Sequence, residues 1–336
     1  MLKKLQIKSD NGRQKVTKAR TQLLEEAISQ LEDAGFMLSS QCDVRPSCFD
    51  LVARGGEQLL LVKVLANIDA LTSEDAMSLQ LVAHFFNATP LVVGKKTRRG
   101  ELDPGVVYKR YGVSTIAPLS FQSMISEEHL PREFIQRGGR FVAIDGSKLR
   151  KARLDLKMST EELADCVEVS ARAILAYEKD EMDVSTDIAE RLEEVLETDL
   201  MIPVDLLEVK QHDKALQQFD QSSYEIPDLE KRVNQFFERL GMTVLWTDRA
   251  PFHVAAKETG PPLMSGIGSI TSWTLKKRME ILKSVSKVTE SDAVIIVEEG
   301  KADERMSDLP VIRQHELDRI DKPRELKKII DERSNQ

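Results

Sequence analysis

The sequence predicts a mixed chain, with α/β segments on both sides of an all-α centre. Three observations lead there. Residues 147–196 space their apolar side chains as short helices meeting at a sharp turn require. The segments before and after alternate helix and strand signals. Those two flanks also resemble each other at a slowly drifting offset. A length of 336 residues allows two or three domains. A hydrophobic content of 41 % and a charged content of 31 % are those of a soluble globular chain, while aromatics at 5 % leave the cores to Leu, Ile and Val.

In chain order, an apolar stripe of Leu23, Leu24, Ala27, Ile28 and Leu31 predicts a helix over 18–34, which Gly35 stops. A short strand follows at 36–39. Two more, at 48–54 and 58–65, flank the Gly55-Gly56 turn. Ser73 opens a helix to about residue 87, and 90–94 is a short buried strand. A strand at 113–116 and a helix at 120–125 end the first flank, and residues 137–153 read as a linker into the centre.

In the centre, Ser159 is a good N-cap with Glu162 three residues on, the spacing of a capping box. Leu163, Ala164, Val169, Ile174 and Leu175 supply the apolar side chains, with Val169 plugging the turn. Ser170 caps a second helix over about 170–179, and a further helix covers 185–196. The second flank repeats the first: helix 229–240 ended by Gly241, strands 242–246 and 252–256, helix 274–288 and strand 293–297. PFHVAAK aligns with CFDLVAR. The offset falls from 206 at Gly35/Gly241 to 203 at Asp50/His253 and 196 at Phe121/Leu317, as small loop deletions would produce. These signals divide the chain at 1–136, 137–208 and 219–336.

The central run resembles the helix-turn-helix of the lambda repressor and Cro family over about one sixth of the chain. Tyr177-Glu178 matches the end of that family's second helix, and the resemblance pairs Arg153 with Glu178. It also implies that the second helix enters the major groove of DNA. Arg172 and Lys179, with Ala171 and Ala176, would then face bases, and Thr160 and Ser170 would bond backbone phosphates. Two positions depart from the family pattern. Its usual Gln is Thr160, and its turn Gly is Glu168, which at a positive φ costs about 1 kcal/mol.

Charge bears on partners. Residues 147–200 hold 8 bases and 15 acids, whereas a phosphate-binding surface is expected to be basic. Residues 1–140 hold 19 bases and 16 acids, concentrated at Lys3, Lys4, Lys8, Arg13, Lys15, Lys18 and Arg20 and at Lys95, Lys96, Arg98 and Arg99. These clusters are the further candidates for phosphate contact, or else plain solvated surface. Cys42, Cys48 and Cys166 read as free thiols of a reducing, cytoplasmic compartment. The five histidines (His84, His129, His212, His253 and His315) show no ligand spacing, so neither metal nor cofactor is expected. The Gly260/Gly266/Gly268 run lacks the spacing of a phosphate loop. No apolar run approaches the roughly 18 residues of a membrane span.

The order of elements in both flanks resembles the restriction-endonuclease-like fold of PD-(D/E)xK nucleases and Holliday-junction resolvases. That fold uses an Asp and a Glu-x-Lys to hold magnesium, a hard cation that takes oxygen ligands. Here Asp50 and Lys63 stand in place, but the second carboxylate position is Leu61, and His253 replaces the Asp in the second copy. The expectation is two degenerate, non-catalytic nuclease-like domains.

Over nearly its whole length the chain is similar to archaeal HTH-type transcriptional regulators, most specifically in RGGRFVAIDG and IPVDLL around Tyr177-Glu178. The resemblance implies a transcription regulator. A lone unit of this size contacts too little DNA for useful specificity, so a sequence-specific homodimer on double-stranded DNA is expected, with the flanking domains supplying the dimer. The alternatives are a protein-interaction factor with an acidic helical module and, furthest from the residues, a structure-specific nuclease or junction binder.

Overall fold

The computed structural model describes residues 2–126, 130–207, 226–269, 272–298 and 305–334. The side chains of residues 2–16, which carry most of the N-terminal basic cluster, lie outside that description, as do His129 and His212. Two compact units make up the fold. One holds Met1–Gln30, Leu65–Ala70 and Val92–Leu206, and the other Leu31–Val64, Leu71–Leu91 and Leu207–Gln336.

The first α/β copy opens with α1 (Leu2–Asp33), followed by β1 (Met37–Leu38), β2 (Leu51–Gly55), β3 (Gln58–Asn67), α2 (Ser73–Phe86) and β4 (Thr89–Lys96). β5 (Val106–Arg110), β6 (Val113–Ile116) and α3 (Pro118–Ile125) complete it. The predicted stripe of α1 is buried at Leu23, Leu24, Ala27 and Leu31, but the helix begins well before residue 18. β5 was not foreseen.

The stretch read as a linker is regular structure. β7 (Glu133–Gln136) and β8 (Gly139–Ile144) form an antiparallel hairpin, and α4 (Gly146–Asp155) follows directly. Then come α5 (Thr160–Cys166), α6 (Ala171–Glu178), β9 (Val184–Ser185), α7 (Thr186–Leu196) and β10 (Met201–Ile202). β9 and β10 both pair with β8, Val142 facing Val184 and Ile144 facing Met201. Val142 and Ile144 are buried in one cluster with Leu149, Leu163, Val167, Ile174 and Leu192. The strand is therefore part of the helical core, which fixes the helices to the sheet.

The second copy runs α8 (Asp228–Arg239), β11 (Thr243–Trp246), β12 (Val254–Lys257), β13 (Leu263–Gly268), α9 (Trp273–Thr289), β14 (Ala293–Val297), β15 (Arg305–Met306) and β16 (Leu309–Arg313). Helices α10 (Gln314–Leu317) and α11 (Pro323–Ser334) end the described chain. Val233, Phe236, Phe237 and Leu240 put the apolar face of α8 into its core.

The two copies share one topology. Strand order is β1-β2-β3-β4-β6-β5 in the first and β11-β12-β13-β14-β16-β15 in the second. Register agrees as well: Met37 faces Arg54 as Thr243 faces Lys257, and Arg110 faces Val113 as Met306 faces Leu309. These pairs reproduce the offsets of 206, 203 and 196 read from the sequence. Capping repeats too. Thr72 and Ser272 cap α2 and α9, and Asn87 and Glu290 end them at φ of 52°.

Within the second unit the copies pack by a reciprocal set of bonds. Arg54 Nε donates to the Val288 carbonyl (2.6 Å) and Lys257 Nζ to the Phe85 carbonyl (2.9 Å), donors and acceptors each 203 residues apart. Arg249 pairs with Glu74 (2.6 Å) and Asp75 (2.7 Å), while on the other side of the pseudo-twofold Lys277 pairs with Asp43 (2.6 Å), the charges exchanged. Phe86 and Phe252 meet near the centre, ring centroids 5.6 Å apart. No helix among the described residues is long and apolar enough to cross a membrane.

Candidate nucleic-acid interface

The helix-turn-helix is built by local signals. Ser159 and Glu162 form the reciprocal capping box at the start of α5, and the Ser170 hydroxyl accepts from Ala173 N at 3.2 Å to start α6. Glu168 takes a φ of 59° in the turn between them, the left-handed conformation expected where the family pattern has Gly. Arg153 on α4 makes a two-pronged bond to Glu178 at the end of α6 (2.6 and 3.1 Å), and its Nη1 donates to the Met158 carbonyl at 2.8 Å. Both side chains are nearly enclosed, and the Glu178 carboxylate holds the Arg153 guanidinium above its usual pKa. The locking pair implied by the family resemblance is therefore present.

Ile174 and Tyr177 turn α6 into the core. Opposite them, Arg172 and Lys179 are exposed and share a helical face with Ala176 and Leu175. Neither cation bonds to a carboxylate among the described residues. Ala176 is half-buried on the flank of this face, whereas Ala171 lies at its margin and packs partly on the core. Leu175, read from the sequence as a core residue, is 45 % exposed. Its position three residues from Arg172 and four from Lys179 was the available signal, because Ile174 alone satisfies the inward spacing. Ser170 is exposed at the helix start. Thr160 is half-buried, and its hydroxyl donates to Glu161 at 3.0 Å.

The nuclease-like site of the first copy keeps its frame but not its second carboxylate. Leu51 faces Val62 and Val52 faces Leu61, so strand alternation puts Asp50, Leu61 and Lys63 on one face. Asp50 is wholly buried, and its Oδ2 accepts from Val64 N at 2.7 Å while Oδ1 lies 3.5 Å from Arg45. Lys63 Nζ donates to the Ser47 carbonyl at 2.7 Å. One carboxylate beside a guanidinium, with leucine in the second ligand position, does not fit a divalent cation. Among the described residues no group of three His, Cys, Asp or Glu could hold a metal. Cys42 and Cys48 are buried beside this site, which raises both thiol pKa values.

In the second copy His253 occupies the Asp50 position bond for bond. Asp50 N donates to Val62 O and its Oδ2 accepts from Val64 N, and His253 N donates to Ser265 O while its Nδ1 accepts from Ile267 N at 2.9 Å. The Nε2 edge lies beside Arg278 and 4.0 Å from Glu230. Burial, and then Arg278, pushes the His253 pKa down to about 3. Unfolded histidine titrates near 6.5, so the unfolded state binds more protons between these values and stability falls as pH falls through that window. Glu230, whose pKa is raised by burial, contributes with the opposite sign. Replacing His253 with Gln is expected to flatten the acid limb of a urea-denaturation series, and parallel limbs in both proteins would refute the assignment.

A PD-(D/E)XK superfamily domain matches residues 20–131 and a helix-turn-helix model matches residues 149–201. A protein of Methanococcoides burtonii named "Putative HTH-type transcriptional regulatory protein" is 35 % identical over 94 % of this chain and 98 % of its own length. Relatives with that description in Thermococcus kodakarensis and Pyrococcus furiosus are 34 % and 35 % identical, over 93 % of this chain and 96 % and 98 % of theirs. No solved structure matches. With such identity over nearly the whole of both partners, the chain belongs to this archaeal family of HTH-type transcriptional regulatory proteins.

Proposed function

We propose that the chain is a sequence-specific transcription regulator that binds double-stranded DNA through α6 and does not cleave it. The observation that carries this reading is the outer face of α6. Arg172 and Lys179 stand exposed on a helix that the Arg153–Glu178 pair and the β8 strand hold rigid. An arginine there can bond guanine, and Leu175, Ala176 and the marginal Ala171 offer apolar contact to thymine methyl groups. Ser170 and Thr160 sit at helix starts, where their hydroxyls would meet backbone phosphate. The three-part division at 1–136, 137–208 and 219–336 follows from this reading: a DNA reader between two nuclease-like scaffolds. A single reader of this size contacts too little DNA for useful specificity, so a homodimer on two half-sites is proposed. The surface between the α/β copies is already used within one chain, so the dimer forms elsewhere.

Selection from a random duplex library at about 150 mM salt tests the reading. A two-fold symmetric motif is the expected result, and Arg172→Ala is expected to cost about 1–3 kcal/mol per half-site and to relax one position in each. Equal affinity of that variant would remove Arg172 from base reading. One observation favours the second reading, a protein-binding module: Glu161, Glu162, Asp165 and Glu168 are all exposed near α6. A failed selection with well-folded protein would support it.

A further inference from the structure

The RGGR sequence that distinguishes the lead into the helix-turn-helix is the tip of the β7–β8 hairpin. Gln136 faces Gly139 across a two-residue turn of Arg137 and Gly138. Gly138 and Gly139 take φ of 116° and 146°, which glycine alone adopts without strain, so the tip is bare backbone on one side. This tip is held in register with the recognition helix. Gln136 Nε2 donates to Asp183 at 3.1 Å, in the loop that follows α6, and Gly146 N donates to Asp180 of the same loop at 3.0 Å. Beyond that loop, Phe141 and Val142 pair with Ser185 and Val184. Along one continuous stretch of hydrogen-bonded backbone, the hairpin tip therefore neighbours the loop after Lys179.

The charges at the tip are unequal in their freedom. Arg140 is held by Glu133 (2.6 Å) and Asp103 (3.0 Å). Asp183 is bonded by Gln136, and Asp180 by Gly146. Arg137 is exposed and makes no bond among the described residues. The glycine pair serves the tight turn, but nothing in that turn requires an arginine at its tip.

We infer that the β7–β8 tip is a second contact to duplex DNA, in which Arg137 meets a backbone phosphate flanking the groove that α6 occupies. The inference rests on the DNA-binding reading of α6. A phosphate contact positions the protein without reading sequence, so it has a signature distinct from Arg172.

The test is a set of affinity titrations over a salt series, using the full chain with a mixed-sequence duplex and with the library-selected duplex. For Arg137→Ala the slope of log affinity against log salt is expected to shrink by about 0.9 per bound protomer, with binding weaker by about fivefold per protomer near 150 mM on both duplexes alike. Arg172→Ala is expected to weaken the selected duplex alone. Arg137→Lys should restore the slope, and thermal unfolding of all three variants should match the parent. An unchanged slope in Arg137→Ala, beside a loss in Arg172→Ala, would overturn the hairpin contact and leave the α6 reading intact. Absence of salt-dependent binding by the parent protein would overturn both.

Discussion

Arg153→Ala is expected to destabilise the helix-turn-helix by about 3–5 kcal/mol, the largest effect of any charged substitution in this region. Only 9 % of the Arg153 side chain and 5 % of Glu178 are exposed, and the two meet through paired bonds of 2.6 and 3.1 Å. The pair need not add much net stability over an apolar pair of the same volume, since enclosing both ions costs desolvation energy. What the alanine creates is an enclosed carboxylate with no counter-charge, and it also orphans the Met158 carbonyl, which Arg153 Nη1 serves at 2.8 Å. Replacing both partners, as Arg153→Met with Glu178→Leu, should recover much of the loss. Urea unfolding of the single and double variants measures this. A single-variant loss below about 1 kcal/mol would mean that solvent enters the pair and that α4 and α6 are held by packing alone. The expected loss bears on function, because α6 carries Arg172 and Lys179 on its outer face and Glu178 at its last turn. A loosened α6 should weaken specific binding before the whole chain unfolds.

The residues that were legible in the sequence are those whose role is local. The capping box at Ser159, the cap at Ser170 and the positive φ at Glu168 each depend on a few neighbours along the chain. The duplication was legible because small loop deletions change the offset without altering strand register. The missed features depend on partners distant in sequence. Residues 139–144 fall in the stretch read as a linker because their short apolar run, 141–144, follows a glycine pair and shows no partner until 133–136, 184–185 and 201–202 are in place. The early start of α1 was hidden because residues 2–17 are mostly polar and their few apolar residues, Leu2, Leu5, Ile7 and Val16, keep no sustained helical period. Leu175 was misassigned for the converse reason. An apolar residue one position after a core residue fits an inward stripe in one dimension, yet on a helix it turns about 100° away. The nuclease-like sites sit between these cases: Leu61 announced the lost carboxylate, but the equivalence of His253 with Asp50 needed their matching backbone bonds.

The reciprocal packing of the two copies was beyond one-dimensional reading, since its ion pairs exchange charge across the pseudo-twofold. Phe252→Ala tests whether it makes the copies one cooperative body. Phe252 is 1 % exposed and packs against Phe86 of the other copy. Truncating a buried phenylalanine costs about 3–5 kcal/mol, from lost transfer energy and from the cavity left behind. The size of the loss alone would not distinguish an interface from an ordinary core. Its distribution does. Native-state amide exchange of the variant is expected to quicken in α2 of the first copy as well as in β12 and α9 of the second, because Phe86, the Phe85 carbonyl and the Val288 carbonyl all belong to the same reciprocal contact. The ion pairs at Arg249 and Lys277 are partly exposed and contribute little by comparison, so Arg249→Ala should leave exchange in both copies nearly unchanged. Quickening confined to the second copy would mean that the two domains unfold independently. Quickening in both would show that an arrangement in which two nuclease-like domains pair, as two separate chains could, is maintained here within a single chain. That surface is then unavailable to a second molecule, and any dimer that positions two α6 helices on DNA must be assembled through a different face.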